Sequence, residues 1–169
     1  MTKKTGFTLL EIVIYVGILG IISVLVINSI LATSTSFAKS RVKRNLNAHA
    51  GEAVERILRE VRLASSVNTG ASTLGAHPGH LVLNTVVSPT NSTAITREFF
   101  LSGSTLILRE TGTTDIHLTS DIDVTNLIFR RITTPNSQAV RIEMAAEDGL
   151  AKIKSSVNYY GTAILRGSY

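Results

Sequence analysis

The sequence contains no cysteine and no tryptophan, and aromatic residues make up only 5% of it. Without cysteine the chain has neither a disulfide framework nor a thiolate for catalysis, so packing, assembly or a bound metal has to hold its fold together. Because aromatic side chains are so scarce, its core has to be mainly aliphatic. These absences exclude the small disulfide-stapled class of secreted protein, but they do not fix the compartment.

The sequence also lacks the motifs that carry most known chemistry. It has no glycine-rich phosphate loop, no Walker lysine and no zinc-ligand spacing. His77 and His80 flank a Pro-Gly turn, but a metal site would need further ligands nearby. Asp121 and Asp123 supply too few oxygens for a calcium loop, and a plain loop is favoured for the glycosylation pattern at Asn91. The sequence therefore predicts a protein that is not an enzyme and needs no cofactor.

A long apolar run lies close to the N-terminus. Residues 12–32 carry no charge, and only Ser23, Asn28 and Ser29 among them are plainly polar. As a helix this run would span roughly 30 Å, the thickness of the hydrocarbon core of a bilayer. The run therefore predicts a single membrane-spanning helix.

Glu11 stands immediately before this run, where a carboxylate is expensive. A charge at the centre of a membrane helix costs on the order of 2.5–3.5 kcal/mol or more, and less near the end of the helix. Such a group favours a functional interpretation with a partner of opposite charge. The alternative is that Glu11 lies at the level of the lipid headgroups and is solvated there.

The residues before the apolar run form a short basic leader that contains Lys3 and Lys4. A secretory signal peptide has a shorter apolar run, followed by small residues at the cleavage site. Here the natural processing point precedes the run, between Gly6 and Phe7, and cleavage there leaves the helix on the mature protein. The new amine at Phe7 would lie about 6 Å along the helix from Glu11. Two parallel chains shifted along each other could pair Glu11 of one with the amine of the next, which would fix their axial register.

The same residues resemble the prepilin-type cleavage and methylation motif of type IV pilins and of the pseudopilins of type II secretion and competence systems. The resemblance covers about the first thirty residues and rests on Gly6-Phe7-Thr8-Leu9-Leu10-Glu11 followed by Ile12-Val13-Ile14. It implies that a prepilin peptidase cuts after Gly6 and methylates the Phe7 amine. It also implies that Glu11 docks the subunit into a growing filament. Residues 48–64 and 118–129 resemble, more loosely, the J-type minor pseudopilins and related minor pilins.

Beyond the apolar run, the pattern predicts that the helix continues in amphipathic form to about residue 66. Apolar residues recur there at steps of three and four, namely Leu46, Ala50, Ala53, Val54, Ile57, Val61 and Ala64. Glu52 and Glu55 each precede an arginine by four residues, which is typical of a solvated face. The Asn68-Thr69-Gly70 sequence is expected to end the helix.

Short strand-like runs separated by turn residues follow. They comprise residues 81–87, 95–101, 105–110, 124–132, 139–145 and 152–165, the last as one strand or as two interrupted near Gly161. Residues 139–145 alternate, with Val140, Ile142 and Met144 on one face and Arg141 and Glu143 on the other. Successive strands with short turns predict an antiparallel sheet. The expected fold is therefore α+β and pilin-like, with a long N-terminal helix packed on a C-terminal antiparallel β-sheet.

These patterns divide the chain into four expected segments. Residues 1–6 are a cleaved leader, and residues 7–32 are the transmembrane or filament-core helix. Residues 33–67 continue that helix as an amphipathic segment, and residues 68–169 form an extracytoplasmic sheet domain.

The net charge of the chain is +5, and part of it forms a basic cluster directly after the apolar run. The cluster comprises Lys39, Arg41, Lys43 and Arg44. Basic residues beside a membrane span usually attract anionic lipid headgroups. A nucleic-acid groove is disfavoured because no aromatic stacking residues are interleaved with the cluster. The cluster opposes the positive-inside rule if it lies outside, whereas Lys3 and Lys4 favour a cytoplasmic N-terminus.

The sequence thus predicts a structural, minor subunit of a pilus-like or pseudopilus filament in the cytoplasmic (inner) membrane, a single-pass protein that later moves into an extracytoplasmic filament. By resemblance, its partners are the prepilin peptidase, other pilin or pseudopilin subunits and the inner-membrane assembly platform. The machine stays open, because pilus, secretion and competence systems share the motif. Two alternatives stay open as well: a single-span protein with an extracytoplasmic binding domain, and a DNA-uptake pilin whose basic residues bind nucleic acid.

Overall fold

The computed structural model describes residue 6 and residues 8–88, 90–135, 137–149 and 153–166. They form one helix, α1 (Leu9–Leu63), followed by eight strands. The chain divides into two compact units, Met1–Ser40 and Arg41–Tyr169. The predicted α+β class is confirmed.

The start of α1 is fixed by Thr8. Its side-chain Oγ1 accepts a hydrogen bond from the Glu11 backbone N–H at 3.3 Å, and its carbonyl accepts one from the Ile12 N–H at 3.2 Å. A threonine hydroxyl placed this way satisfies a backbone donor that has no partner within the helix. Glu11 lies in the first turn, where the helix dipole favours a negative charge. The expected first residue of the helix, Phe7, lies outside the described residues.

Within the N-terminal unit, α1 is apolar and its side chains are exposed. By length and composition it could span a membrane: its most apolar 18-residue window has a mean hydropathy of 2.7, and none of that window is buried. The Ser23 hydroxyl donates to the Leu19 carbonyl at 2.7 Å, so the helix backbone itself satisfies this polar group. This agrees, at the level of length and composition, with a single membrane-spanning segment.

Within the C-terminal unit, α1 buries the apolar stripe that its sequence predicts. All seven stripe positions, from Leu46 to Ala64, are buried. The helix ends at Leu63, earlier than expected, and Asn68 and Gly70 do not end it. The reason is pairing with a distant strand: Ser66 and Val67 form β1 opposite Asn84 and Leu83. A hydrogen-bonded partner far along the chain competed here with local helix propensity.

The strands form two antiparallel sheets, whereas the sequence suggested one. The larger sheet has the order β1-β2-β3-β4-β5. Its strands are β1 (Ser66–Val67), β2 (Leu81–Ser88), β3 (Asn91–Ser102), β4 (Thr105–Glu110) and β5 (Ile116–His117). The smaller sheet consists of β6 (Asp123–Thr134), β7 (Ser137–Asp148) and β8 (Ser155–Ile164), in that order.

The division between the sheets follows from the short strand β5 and the segment after it. Thr119, which is buried, accepts the Leu106 backbone N–H on its Oγ1 at 2.8 Å and so occupies a donor on the edge of β4 that faces β5, beyond the two residues that β5 pairs. The next strand, β6, then pairs with β7 through a long register from Asp123 to Thr134. Strand β5 has only two residues, which is too few for an alternation of apolar and polar residues to be recognised in the sequence.

In the smaller sheet the predicted alternation of β7 is confirmed. Val140, Ile142 and Met144 are buried, whereas Arg141 is exposed and Glu143 is half-buried. The expected interruption at Gly161 is absent, because β8 runs continuously past it and Gly161 pairs with Ile142. A side chain at Gly161 would place its Cβ 2.9 Å from Leu58 Cδ1 of α1. The glycine therefore marks a close approach between helix and strand, not a break.

One hydrophobic core unites the C-terminal unit. It combines the stripe of α1 with residues of both sheets, and its largest fully buried side chains are Phe99 and Phe129. Most of its other members are Leu, Ile, Val and Ala, as the scarcity of aromatic residues required.

Candidate functional site

The first candidate site is the opening turn of α1, where Thr8 and Glu11 lie on an otherwise apolar helix. Thr8 and Glu11 have the Thr-x-x-Glu spacing of a capping box, and the Thr8 half of that arrangement is formed. Leu9 is 82% exposed, and the neighbouring Leu10 and Ile12 are exposed as well. Glu11 therefore presents one carboxylate within an apolar surface whose neighbouring described side chains are exposed.

Tyr15 contacts this carboxylate from the next turn of the helix. Its hydroxyl donates to Glu11 Oε1 at 3.4 Å, which is long for a bond between a phenol and a carboxylate. The spacing of four residues places both side chains on one face of the helix. Sequence reasoning missed Tyr15 because it counted the residue as part of the apolar run. The signal was present, since a phenol one turn from an isolated carboxylate is a natural donor to it.

The structure describes only one of the other predicted cleavage residues. Gly6 is exposed and lies before the helix. Phe7, the predicted site of cleavage and methylation, lies outside the described residues, as do Lys3 and Lys4 of the leader. Cleavage after Gly6, methylation of Phe7 and docking through Glu11 therefore stay predictions.

A second cluster, which the sequence did not predict, is an ionic group buried between α1 and the larger sheet. Glu60 is 2% exposed and Arg97 is 7% exposed, and the Arg97 Nη1 donates to Glu60 Oε2. Arg97 also donates to Glu110 Oε2 at 3.0 Å and to the Val87 carbonyl at 3.2 Å. These contacts join the helix to β2, β3 and β4. We name this group, Glu60, Arg97 and Glu110, the buried ionic cluster.

The buried ionic cluster also changes the expected charge pairs on the helix. Arg56 Nε lies 3.0 Å from Glu60 Oε1, so Arg56 pairs toward the C-terminus of the helix and not with Glu52 as predicted. The cluster was hard to find because Glu60 looks like one more charge on a solvated face. A usable signal was the hairpin of β3 and β4, whose register places Arg97 opposite Glu110.

The histidines and acidic residues considered for metals have other partners. His77 Nδ1 accepts the Leu127 backbone N–H at 3.1 Å, and His80 Nε2 lies 3.5 Å from Glu98 Oε2. Asp121 Oδ2 lies 3.6 Å from His49 Nε2, and Asp123 Oδ1 accepts a hydrogen bond from the Ser104 hydroxyl at 2.5 Å. Within the described part of the chain, no group of three or more histidine or acidic side chains is arranged to hold a metal ion.

The acceptor pattern at Asn91 lies in the first residues of strand β3, whereas the sequence favoured a plain loop there. Asn91 Oδ1 accepts hydrogen bonds from the Thr93 backbone N–H at 3.1 Å and from Thr93 Oγ1 at 2.8 Å. This local bonding is the Asx-turn geometry expected at the start of a strand, so the turn itself accounts for both residues.

An open groove of about 630 Å³ runs along α1 beside β5. Its polar lining includes His49, Arg59 and Asp121. Acidic and basic side chains are mixed along it, so it does not present a field of one sign.

An exposed ion pair lies at the far edge of the larger sheet. Arg109 makes two hydrogen bonds to Asp115, at 2.7 and 2.8 Å, and its guanidinium lies 4.8 Å from the centre of the Phe100 ring. The hydrogen bonds from Arg109 lower the pKa of Asp115 and raise the pKa of Arg109. Because the pKa of Asp115 is lowered in the folded state, its contribution to stability is present at neutral pH and is lost as the pH falls through that pKa.

Neither a protein-family model, nor a curated protein, nor a solved structure matches this chain. The fold and the first site define an α+β protein with one N-terminal helix that is long and apolar enough to cross a membrane. A capped first turn with a single carboxylate opens that helix.

Proposed function

We propose that this chain is a structural, non-enzymatic subunit, of the minor kind, of a type IV pilus-like or type II secretion pseudopilus filament. A prepilin peptidase removes residues 1–6 by cutting after Gly6 and methylates the Phe7 amine. The mature chain then waits in the cytoplasmic membrane as a single-pass protein with its C-terminal unit outside.

One observation carries this proposal. The apolar part of α1 exposes its side chains, and its only charge is a carboxylate in the first turn, that of Glu11. A helix used only as an anchor has no need of that carboxylate, which costs free energy near lipid. A helix that leaves the bilayer for a protein bundle has a use for it, because a neighbour's amine can pair with it there. The paired charges then set the axial position of one subunit against the next.

Assembly in this scheme keeps the apolar surface of α1 away from water throughout. Lipid covers it before assembly, and the helices of neighbouring subunits cover it afterwards, while the inner-membrane assembly platform moves the subunit between the two. The contact between Glu11 and the Phe7 amine of the next chain is heterologous, so it generates an open fibre and not a closed ring.

The test is the mass of the mature N-terminus in cells that carry a prepilin peptidase and in cells that lack it. We expect a chain that begins at methylated Phe7 only where the peptidase is present. A chain that keeps Met1 and the leader in both strains would overturn the proposal.

The groove beside β5 favours a second candidate, a membrane-anchored binding domain that does not polymerise. Its volume of about 630 Å³ is within the range of ligand pockets, although it is open and polar. This candidate requires an uncut leader and monomeric chains, so the same mass measurement separates it from the filament subunit.

A further inference from the structure

Strand β8 has the composition of an interior strand. None of its residues from Ser155 to Ile164 is charged or a proline, and several are aromatic or β-branched. The only other long strand without charge is β2, which lies between β1 and β3. The strands β3, β4, β6 and β7 all carry charged residues.

The topology nevertheless places β8 at an edge. In the smaller sheet β8 pairs with β7 on one side only, along its whole length. The opposite edge strand, β6, is covered by a loop at its middle: Gly75 donates to the Phe129 carbonyl at 2.7 Å, Gly79 donates to the Leu127 carbonyl at 2.9 Å, and Leu127 donates to His77. The edge strands of the larger sheet, β1 and β5, have two residues each. Among the described residues, β8 is therefore the one long edge without such cover.

Both faces of β8 are open near this edge. On the outer face Tyr160 is 64% exposed and Ile164 is 52% exposed. On the face toward α1, Val157 and Tyr159 are half-buried, whereas their neighbours across β7 are buried. Proteins usually protect a long edge with lysines, prolines or bulges, because its free N–H and C=O groups pair readily with another strand. The ten-residue strand β8 has no lysine and no proline, and its register with β7 is continuous.

We propose that β8 pairs in antiparallel fashion with β8 of a second copy of this chain, so that two three-stranded sheets join into one of six strands. An uncharged strand brings no like charges together when it meets its own copy, which is the repulsion that usually prevents self-pairing. Two identical strands related by a twofold axis match each other's free backbone groups. Tyr160 and Ile164 then contribute aromatic and β-branched cross-strand contacts on the outer face.

This pairing goes beyond the filament role and does not depend on it. An isologous contact closes on itself, whereas the contact proposed for Glu11 is open-ended. The two can therefore fail separately: loss of pairing at β8 leaves processing at Gly6 untouched, and an uncut leader leaves β8 pairing unchanged.

The absence of native cysteine allows a direct test by cysteine scanning of the full chain in lipid nanodiscs. Single cysteines replace the outward-facing residues of β8, namely Ser156, Asn158, Tyr160, Thr162 and Ile164. We expect disulfide-linked dimers whose yield peaks at one of these positions, nearest the twofold axis, and falls on either side. Thr133→Cys, an exposed position on β6, is the matched control and should remain monomeric.

A charged residue at the edge should weaken the pairing without unfolding the chain. Thr162→Glu faces Arg141 across the ladder within its own sheet, so the fold tolerates it, and Asn158→Lys is a second variant of opposite sign. Each charged variant is combined with the β8 cysteine that gives the highest yield of cross-linked dimer at a different position. Each charge should then lower that yield about fivefold. Thr133→Lys should leave it unchanged, and circular dichroism checks that all variants are folded. The proposal is overturned if no β8 cysteine exceeds the control, if yields are uniform along β8, or if the charged variants cross-link as the parent does.

Discussion

Between Lys4 and Lys39, Glu11 is the only charged side chain. Its backbone and its side chain have different hydrogen-bond partners. Thr8 satisfies the backbone N–H of Glu11, and the Tyr15 hydroxyl lies near one carboxylate oxygen. A hydrogen bond of this kind is worth about 1 kcal/mol, which offsets only part of the cost of a carboxylate near lipid. In the filament proposal a neighbour's amine supplies the rest.

At the residue scale we predict that Glu11→Ala leaves membrane insertion intact but lowers incorporation into filaments by roughly tenfold or more, because the neighbour's amine is left unpaired in an apolar bundle. Comparing the filament fraction with the membrane fraction of the same cells measures this. Glu11→Gln is the matched control for shape: it keeps the size and loses the charge, so it should resemble Glu11→Ala. Normal incorporation of either variant would refute the charge pairing.

At the scale of elements, the buried ionic cluster holds α1 against the larger sheet. The charges of Glu60 and Arg97 are removed from water, so they stabilise the fold only as long as each has its partners. Arg97 meets this condition with two carboxylates and a backbone carbonyl. The cluster also specifies where along the helix the sheet packs, since Glu60 is the one buried acidic residue of α1.

We predict that Arg97→Met lowers the free energy of unfolding by about 3–5 kcal/mol, because it leaves Glu60 as a buried charge without its main partner. The double variant Glu60→Gln with Arg97→Met should be less destabilised than the two single changes added together. Urea denaturation of all three variants measures this coupling. Strict additivity would mean that the two side chains do not depend on each other.

Two glycines test the packing of α1 in opposite directions. Gly161→Ala would bring a Cβ to 2.9 Å from Leu58, so we expect a loss of about 1–3 kcal/mol from overpacking. Gly51 lies within α1, and no atom other than those of its chain neighbours and of the adjacent helix backbone lies within 4 Å of where its Cβ would be. Gly51→Ala should therefore stabilise the helix by about 0.5–1 kcal/mol. Thermal unfolding of the two variants measures both effects, and equal signs would contradict the described helix-to-strand contact.

At the scale of the whole molecule, the hydrophobic core that the described residues form lies entirely between Leu46 and Leu165. The C-terminal unit therefore contains this core, whereas the N-terminal unit exposes its apolar side chains. A unit with its own core has the means to fold alone.

We predict that a chain shortened to residues 41–169 folds cooperatively and is soluble without detergent. Circular dichroism during heating measures this, and a single sharp transition is expected. The full chain, in contrast, should need lipid or detergent to stay dispersed. A shortened chain that shows no transition would mean that the core depends on residues before Arg41.

The sequence by itself determined the features that depend on local periodicity. The uncharged run of residues 12–32, the stripe from Leu46 to Ala64 and the alternation of β7 were each predicted and are each observed. They could be predicted because the spacing of apolar residues follows the geometry of one helix or one strand.

Only the tertiary structure decided which segments meet. The early end of α1, the division into two sheets and the buried ionic cluster all depend on partners far apart in the chain, such as Glu60 and Arg97. The open edge of β8 depends on sheet order, which no single strand encodes. Periodicity shows which face of an element is buried, but not which other element covers it. That choice is made by the packing of the whole core and by the need to pair every buried charge and backbone group.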